Sequence, residues 1–192
     1  MTTHPILRRW SDFTNISTRE VLSLSHLNDF SITVNVGSEE SEIHVKIAVS
    51  FSDHCFTRER RNGDPYYLNF PNCSRRDGVF CIERYNLSIT IRDHIVYFSK
   101  GDAWIIDGDN CAILPVVESN GEKCFYAIVF SLEKVKGLPF ELHMRVKSAY
   151  KCDRGPPAIY GTVKFRRLAQ LTLEGKRASR VSAHNRKRPV LK

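Results

Sequence analysis

The sequence predicts an α+β fold: an antiparallel sheet, formed by a four-strand meander plus an N-terminal hairpin, with helices packed on one face. Three observations lead there. Residues 30–36 and 43–51 alternate apolar and polar side chains with the period of two that marks a half-buried strand. Four more strand-like runs follow one another between residues 103 and 150, with turn chemistry between them. Three other segments, at 17–30, 81–101 and 161–176, carry the apolar spacing or the start and stop signals of helices.

Taken in order, "STREVLSLSHLNDF" (17–30) predicts a short helix, with Ser17 or Thr18 as cap and Glu20 near the capping-box position. "FSITVNV" puts Phe30, Ile32, Val34 and Val36 on one face, and "IHVKIAVSF" does the same with Ile43, Val45, Ile47, Val49 and Phe51. The turn "GSEESE" joins the two into a hairpin. Residues 52–80 predict a long irregular loop, broken by Gly63, Asp64, Pro65, Pro71, Asp77 and Gly78. A loop of that length in a compact domain is usually functional or mobile. In "CIERYNLSITIRDHIVYFSKG" (81–101) the β-branched content favours strand, but Leu87, Ile91, Ile95 and Phe98 recur at helical spacing before Gly101. The reading taken is one helix. The meander is "AWIID" (103–107), "CAILPVVE" (111–118), "KCFYAIVFSLE" (123–133) and "FELHMRVKSAY" (140–150), and "GTVKFRRLAQLTLEGK" predicts the last helix.

The bulk properties bound the function. The chain has 192 residues, 42% of them hydrophobic and 10% aromatic, which suits one domain over 1–175 with a real core. It has no run of 18 apolar residues, so no membrane-spanning helix is expected, and "MTTHPILRRW" lacks a secretory apolar stretch. The expected location is cytoplasmic. There the six cysteines stay reduced. None forms a Cys-x-x-Cys pair, so neither metal nor cofactor is expected. The net charge of +8 is unevenly placed. Residues 176–192 hold seven cations and no acid, while the rest of the chain has 22 basic and 21 acidic residues. That composition predicts a disordered basic tail, suited to nucleic acid or to no more than solubility.

Two stretches carry possible chemistry. "FSDHCFT" places Asp53, His54 and Cys55 side by side at a strand end, ahead of Arg58, Arg60 and Arg61. It reads as a catalytic corner, as an ordinary loop, or as a zinc site from His54, Cys55, Cys73 and Cys81 whose spacing matches no common pattern. The last strand puts Phe140, Leu142, Met144 and Val146 on one face, with Ser148 and Tyr150 continuing it. Glu141, His143, Arg145 and Lys147 fall on the other. Imidazole near neutrality with Arg and Lys beside it can hold and transfer protons around a phosphate, and such a face is also what a one-sided sheet shows to water. Arg58, Arg60, Arg61, Arg75 and Arg76 interleave with Tyr66, Tyr67 and Phe70, a pattern that suits single-stranded nucleic acid.

The succession "FSDHCFT", "FCIERYNLS", "YAIVFSLEK" and "MRVKSAYK" resembles small proteins of bacterial mobile elements and prophages, some of them described as stationary-phase growth adaptation proteins. The resemblance spans roughly residues 45–175. A helix, a meander and a strand ending in "SAY" before "GTVKF" also resembles the barnase, EndoU, colicin and RelE ribonuclease group. Members of that group act as toxins that cut RNA without metal. This second resemblance implies His54 as acid or base, Arg145 or Lys147 on phosphate, and Ser148 or Tyr150 at the strand end.

The resulting expectation is an RNA-directed protein, most concretely a metal-independent ribonuclease. His54, His143 and Tyr150 would do the chemistry, and Arg58, Arg60, Arg145 and Lys147 would hold phosphate. Arg75, Arg76, Tyr66, Tyr67, Arg186, Lys187 and Arg188 would contact nucleic acid, RNA rather than DNA. The alternative is a non-catalytic accessory protein of a mobile element, binding nucleic acid or another protein through the same loop and tail. A third reading is a thiol hydrolase or transferase using Cys55.

Overall fold

A computed structural model describes residues 9–71, 73–74, 77–117, 121–152 and 157–178. In chain order the elements are β1 (Phe13–Thr14), β2 (Val21–Leu22), β3 (Phe30–Asn35), β4 (His44–Phe51), β5 (Thr57–Glu59), β6 (Gly78–Phe80), α1 (Ile82–Ser88), α2 (Ile91–Phe98), β7 (Asp102–Ile105), β8 (Asn110–Val117), β9 (Lys123–Lys134), β10 (Leu142–Lys151), β11 (Gly161–Lys164) and α3 (Phe165–Leu173). Single 3-10 turns lie at Ser25–Leu27, Asp53–Cys55 and Tyr66–Leu68.

The fold is α+β, but its sheet is not the expected antiparallel meander with a separate hairpin. Among the described residues the main sheet has seven strands in the order β11-β7-β8-β9-β10-β4-β3. It is mixed, because β10 runs parallel to β4, with Leu142 opposite Ile47 and Val146 opposite Phe51. The hairpin and the meander are thus one sheet. Alternation along a strand says which side chains face inward and nothing about which strand lies alongside, so this pairing had no local signal. Ile47 and Val49 of β4 and Leu142, Met144 and Val146 of β10 are all fully buried. Joining the two units therefore removes apolar surface from water along the whole shared edge.

Three helical expectations are corrected. Residues 17–30 form the β1–β2 hairpin and a 3-10 turn. Asn15 decides this: its Oδ1 accepts from the Ser17 and Thr18 amides, and its carbonyl accepts from Arg19, which sits at φ 59°. Such side-chain bonds offer the backbone an alternative to the helix ladder. The single helix expected over 81–101 is two, α1 and α2, broken at the β-branched run Ile89–Thr90–Ile91, where side-chain crowding disfavours helix. The segment "GTVK" is not helix but strand β11, paired with β7 from Gly161 opposite Ile105 to Lys164 opposite Asp102. Nor is 52–80 structureless: β5 and β6 pair within it, and Phe56, Phe70 and Phe80 are buried in the core.

The main core lies between the sheet and the helices and takes in Ile91, Ile95 and Phe98 of α2 and Phe165, Leu168 and Ala169 of α3. A smaller cluster on the opposite sheet face holds Cys111, Ile113, Ala127 and Ile159, with Tyr150 and Trp104 packed on it. No helix among the described residues is long and apolar enough to cross a membrane. The expected basic tail lies, from residue 179 on, outside the described residues.

Candidate functional site

The corner after β4 is built by hydrogen bonds that lock its backbone. The Ser52 amide donates to the Val146 carbonyl at 2.9 Å, carrying the parallel pairing one step past the strand. The Ser52 hydroxyl donates to the Lys147 carbonyl at 2.6 Å and accepts the His54 amide at 3.2 Å, capping the 3-10 turn Asp53–Cys55. Asp53 is only 3% exposed. Its carboxylate accepts from Cys73 Sγ (2.8 Å), the Ser74 amide (2.8 Å) and the Ser74 hydroxyl (2.7 Å). Burial pushes the Asp53 carboxyl up. The donors from Cys73 and Ser74, with His54 nearby, outweigh it and hold the group below the usual carboxylate value.

This arrangement assigns the protons. Ser74 Oγ lies 2.7 Å from Asp53 Oδ1 and 3.2 Å from His54 Nε2, and it has one proton. The carboxylate only accepts, so that proton goes to Asp53 and Nε2 of His54 donates to Ser74. A serine held this way is not activated as a nucleophile, which would need its proton on the imidazole. Cys55 is fully buried and burial pushes its thiol up to about 12, so it is not the reactive thiolate of the third reading. Cys73, half-buried, spends its hydrogen on Asp53. Among the described residues no group of three or more His, Cys, Asp or Glu could hold a metal ion.

Arg84, a residue the sequence reading passed over, ties this corner to the rest. From α1 its guanidinium donates to the carbonyls of His54 (2.8 Å) and Thr57 (2.9 Å), and it lies 5.7 Å from the Tyr150 ring centre. Arg84 thereby links two of the expected catalytic residues, His54 and Tyr150. Its only sequence signal was a cation at the start of a helix beside core aromatics. Tyr150 is not on the face that strict alternation gives it. A bulge between Val146 and Ser148 adds one residue, so Ala149 takes the core position and Ser148 and Tyr150 turn to the opposite face.

His143 sits elsewhere. Its Nε2 meets the Ser50 hydroxyl at 2.7 Å, and its pairing partners are Ala48 and Glu133. Burial lowers its pKa and Arg145 adds to this, against Asp29 and Glu133, which raise it. Ser52, whose hydroxyl accepts the His54 amide, is anchored at Lys147, four residues along β10 from His143. His54 meets Ser74 and His143 meets Ser50. Arg145, between Ser131 and Ser50, is exposed. Lys147 is also exposed and pairs with Asp109 at 2.6 Å.

The loop arginines are largely committed. Arg58 clasps Asp64 with both nitrogens, at 2.5 and 2.6 Å, and that bidentate pairing raises its pKa and depresses the aspartate's. Arg60 donates to the Asp64 carbonyl and lies 5.4 Å from the Tyr66 ring centre. Tyr66 is 85% exposed and Tyr67 38%, so only the first presents most of its ring. Arg75, Arg76, Arg186, Lys187 and Arg188 lie outside the described residues.

One groove gathers cations from distant parts of the chain. Lys134 of β9, Lys147 of β10 and Lys176 and Arg177 beyond α3 line a cavity of about 520 Å³, with Asp109 and Glu133 as its acids. Lys134 Nζ caps the C-terminal end of α3 by donating to the Leu173 carbonyl at 2.7 Å. The Lys176 amide donates to the Leu171 carbonyl, so the chain leaves α3 inside this groove.

No curated protein and no solved structure matches the chain. One family does, over residues 13–173. That span runs from the first residue of β1 to the last of α3 and takes in the Asp53 corner, Arg84 and the β10 row, stopping before the cationic end. A match over that much of the sequence makes the chain a member of the YjaZ family.

Proposed function

We propose that the protein is an RNA-directed binding protein that acts in the cytoplasm as a non-catalytic accessory. One observation carries this reading. The exposed Arg145 and Lys147 of β10 lead into the groove lined by Lys134, Lys176 and Arg177, and the most cationic stretch of the sequence continues from there. A backbone phosphate track along β10 and out along residues 176–192 needs no catalytic group. Tyr66, with its ring open to solvent, offers a stacking surface of the kind single-stranded RNA uses. The contacts of His54 with Ser74 and of His143 with Ser50 support binding over cleavage, since a proton relay needs both imidazoles at one phosphate.

The test is anisotropy with a labelled single-stranded RNA across a salt series. Binding should weaken steeply with salt, and Arg145→Ala should flatten the log–log slope by about 0.7, as for one lost single-strand phosphate contact. Removing residues 179–192 should flatten it further. Salt-independent binding, or none, overturns the reading. Cleavage of the RNA in EDTA that fails in folded His54→Ala or His143→Ala replaces it with the ribonuclease.

A further inference from the structure

Among the described residues the main sheet ends in β11 and β3, and β3 with Lys164 at the end of β11 lines one groove of about 700 Å³. β3 contributes Ser31 through Asn35 to the groove, the end of α2 contributes Val96, Ser99 and Lys100, and the far side is Lys164 and Arg166. The backbone of β3 is half unused there. The Val36 amide bonds to the Ile43 carbonyl, which makes 36–43 a hydrogen-bonded pair in the antiparallel register that sets Val34 opposite Val45 and Ile32 opposite Ile47. Hydrogen-bonded and non-bonded pairs alternate. The amides and carbonyls of Ser31, Thr33 and Asn35 therefore point away from β4, toward the groove. Among the described residues no strand pairs with them.

We propose that this edge takes up an extended, acidic peptide segment of a partner protein as an eighth strand. The backbone row, about 16 Å long over five residues, supplies alternating donors and acceptors at strand spacing. Val96, 43% exposed, gives the incoming strand an apolar side-chain contact beside the buried Ile32 and Val34. The charge around it selects the partner. Lys100, Lys164 and Arg166 line the groove and no acid does, while His44 at its rim is met by Glu42 at 3.6 Å. Lys164 is partly met by Asp102 at 3.1 Å, which leaves Lys100 and Arg166 as the main selectors. A second copy of this chain would bring the same cations against themselves. The chain's own ends, residues 1–8 and 179–192, contain no Asp or Glu, so neither complements the groove. Nucleic acid would answer the charge but not the alternating backbone donors and acceptors.

The experiment uses the full chain and a fluorescent peptide of alternating Glu and Val. Its comparators are the same peptide with Lys for Glu and one with alternate amides N-methylated. The acidic peptide should bind saturably and the two comparators should not. Thr33→Pro removes an outward amide while leaving the β3–β4 bonds intact, and Lys100→Glu with Arg166→Glu reverses the selecting charge. Each variant should weaken binding roughly tenfold or more. If Thr33→Pro does not fold, the charge variant and the N-methylated peptide decide alone. Three results would overturn the proposal. The first is no saturable binding of the acidic peptide. The second is binding that survives N-methylation or Thr33→Pro, which makes the groove a simple anion site open to RNA. The third is a dimer in solution that Thr33→Pro dissolves, which assigns the edge to a second copy.

Discussion

Replacing Asp53 by Asn tests whether the corner after β4 is held by a buried carboxylate. The amide keeps the shape and one acceptor oxygen. Turned toward Cys73 Sγ and the Ser74 amide, that oxygen keeps both bonds but without charge. The NH2 group then faces Ser74 Oγ, which must accept from it and turn its own proton to His54 Nε2. Two bonds lose charge assistance, worth roughly 1 kcal/mol each, and the third is reversed, so the loss is about 2 kcal/mol. The assay is urea unfolding followed by tryptophan fluorescence. Trp10 reports on this region because its ring packs edge-on against Phe56, with centres 5.0 Å apart.

The pH dependence makes the test specific. The folded Asp53 carboxyl titrates below the usual carboxylate value. Its contribution is therefore fully present above the unfolded value of about 3.9 and is lost as pH falls through the folded value. The gap between wild type and Asp53→Asn should be constant from neutral pH to about pH 4.5 and should narrow below about pH 3.5. A gap under about 0.5 kcal/mol at neutral pH, or one that stays the same in acid, would refute the argument.

The remaining predictions concern the core and its histidines. Tyr126 is fully buried and its hydroxyl has no hydrogen-bond partner among the described residues, so Tyr126→Phe should raise stability by about 1 kcal/mol, and a loss in urea unfolding would overturn that. Burial lowers the pKa of His26, His94 and His143, so the unfolded chain takes up protons first. The melting temperature should fall as pH drops through about 6.5 and level off below the folded values, and His94→Gln should reduce the drop. Cys55 should resist alkylation in the native state and react only on unfolding, which peptide mass mapping reads directly. Ile47→Ala, at a fully buried position of β4 opposite Leu142, should cost about 3 kcal/mol in the same urea assay.

Some of this protein is written locally. The alternation in 30–36 and 43–51 is enough to make β3 and β4, because each strand needs only its own buried face and a turn between them. The same holds within the meander from β7 to β10, where each strand pairs with the one that follows it. The spacing Ile91, Ile95, Phe98 is legible as α2, and the uneven placement of the cations is legible from composition alone. Other features depended on partners far away in sequence. The parallel union of β4 with β10, and the pairing of β11 with β7, bring together segments whose local patterns do not name each other. The reach of Arg84 to His54 also joins residues far apart in the chain, whereas the bulge that turns Tyr150 lies in β10 against its chain neighbour β9 and the clasp of Arg58 on Asp64 is local to one loop. A strand's pattern records which of its faces avoids water, whereas its neighbour is set by the apolar surface that the whole fold can bury at once.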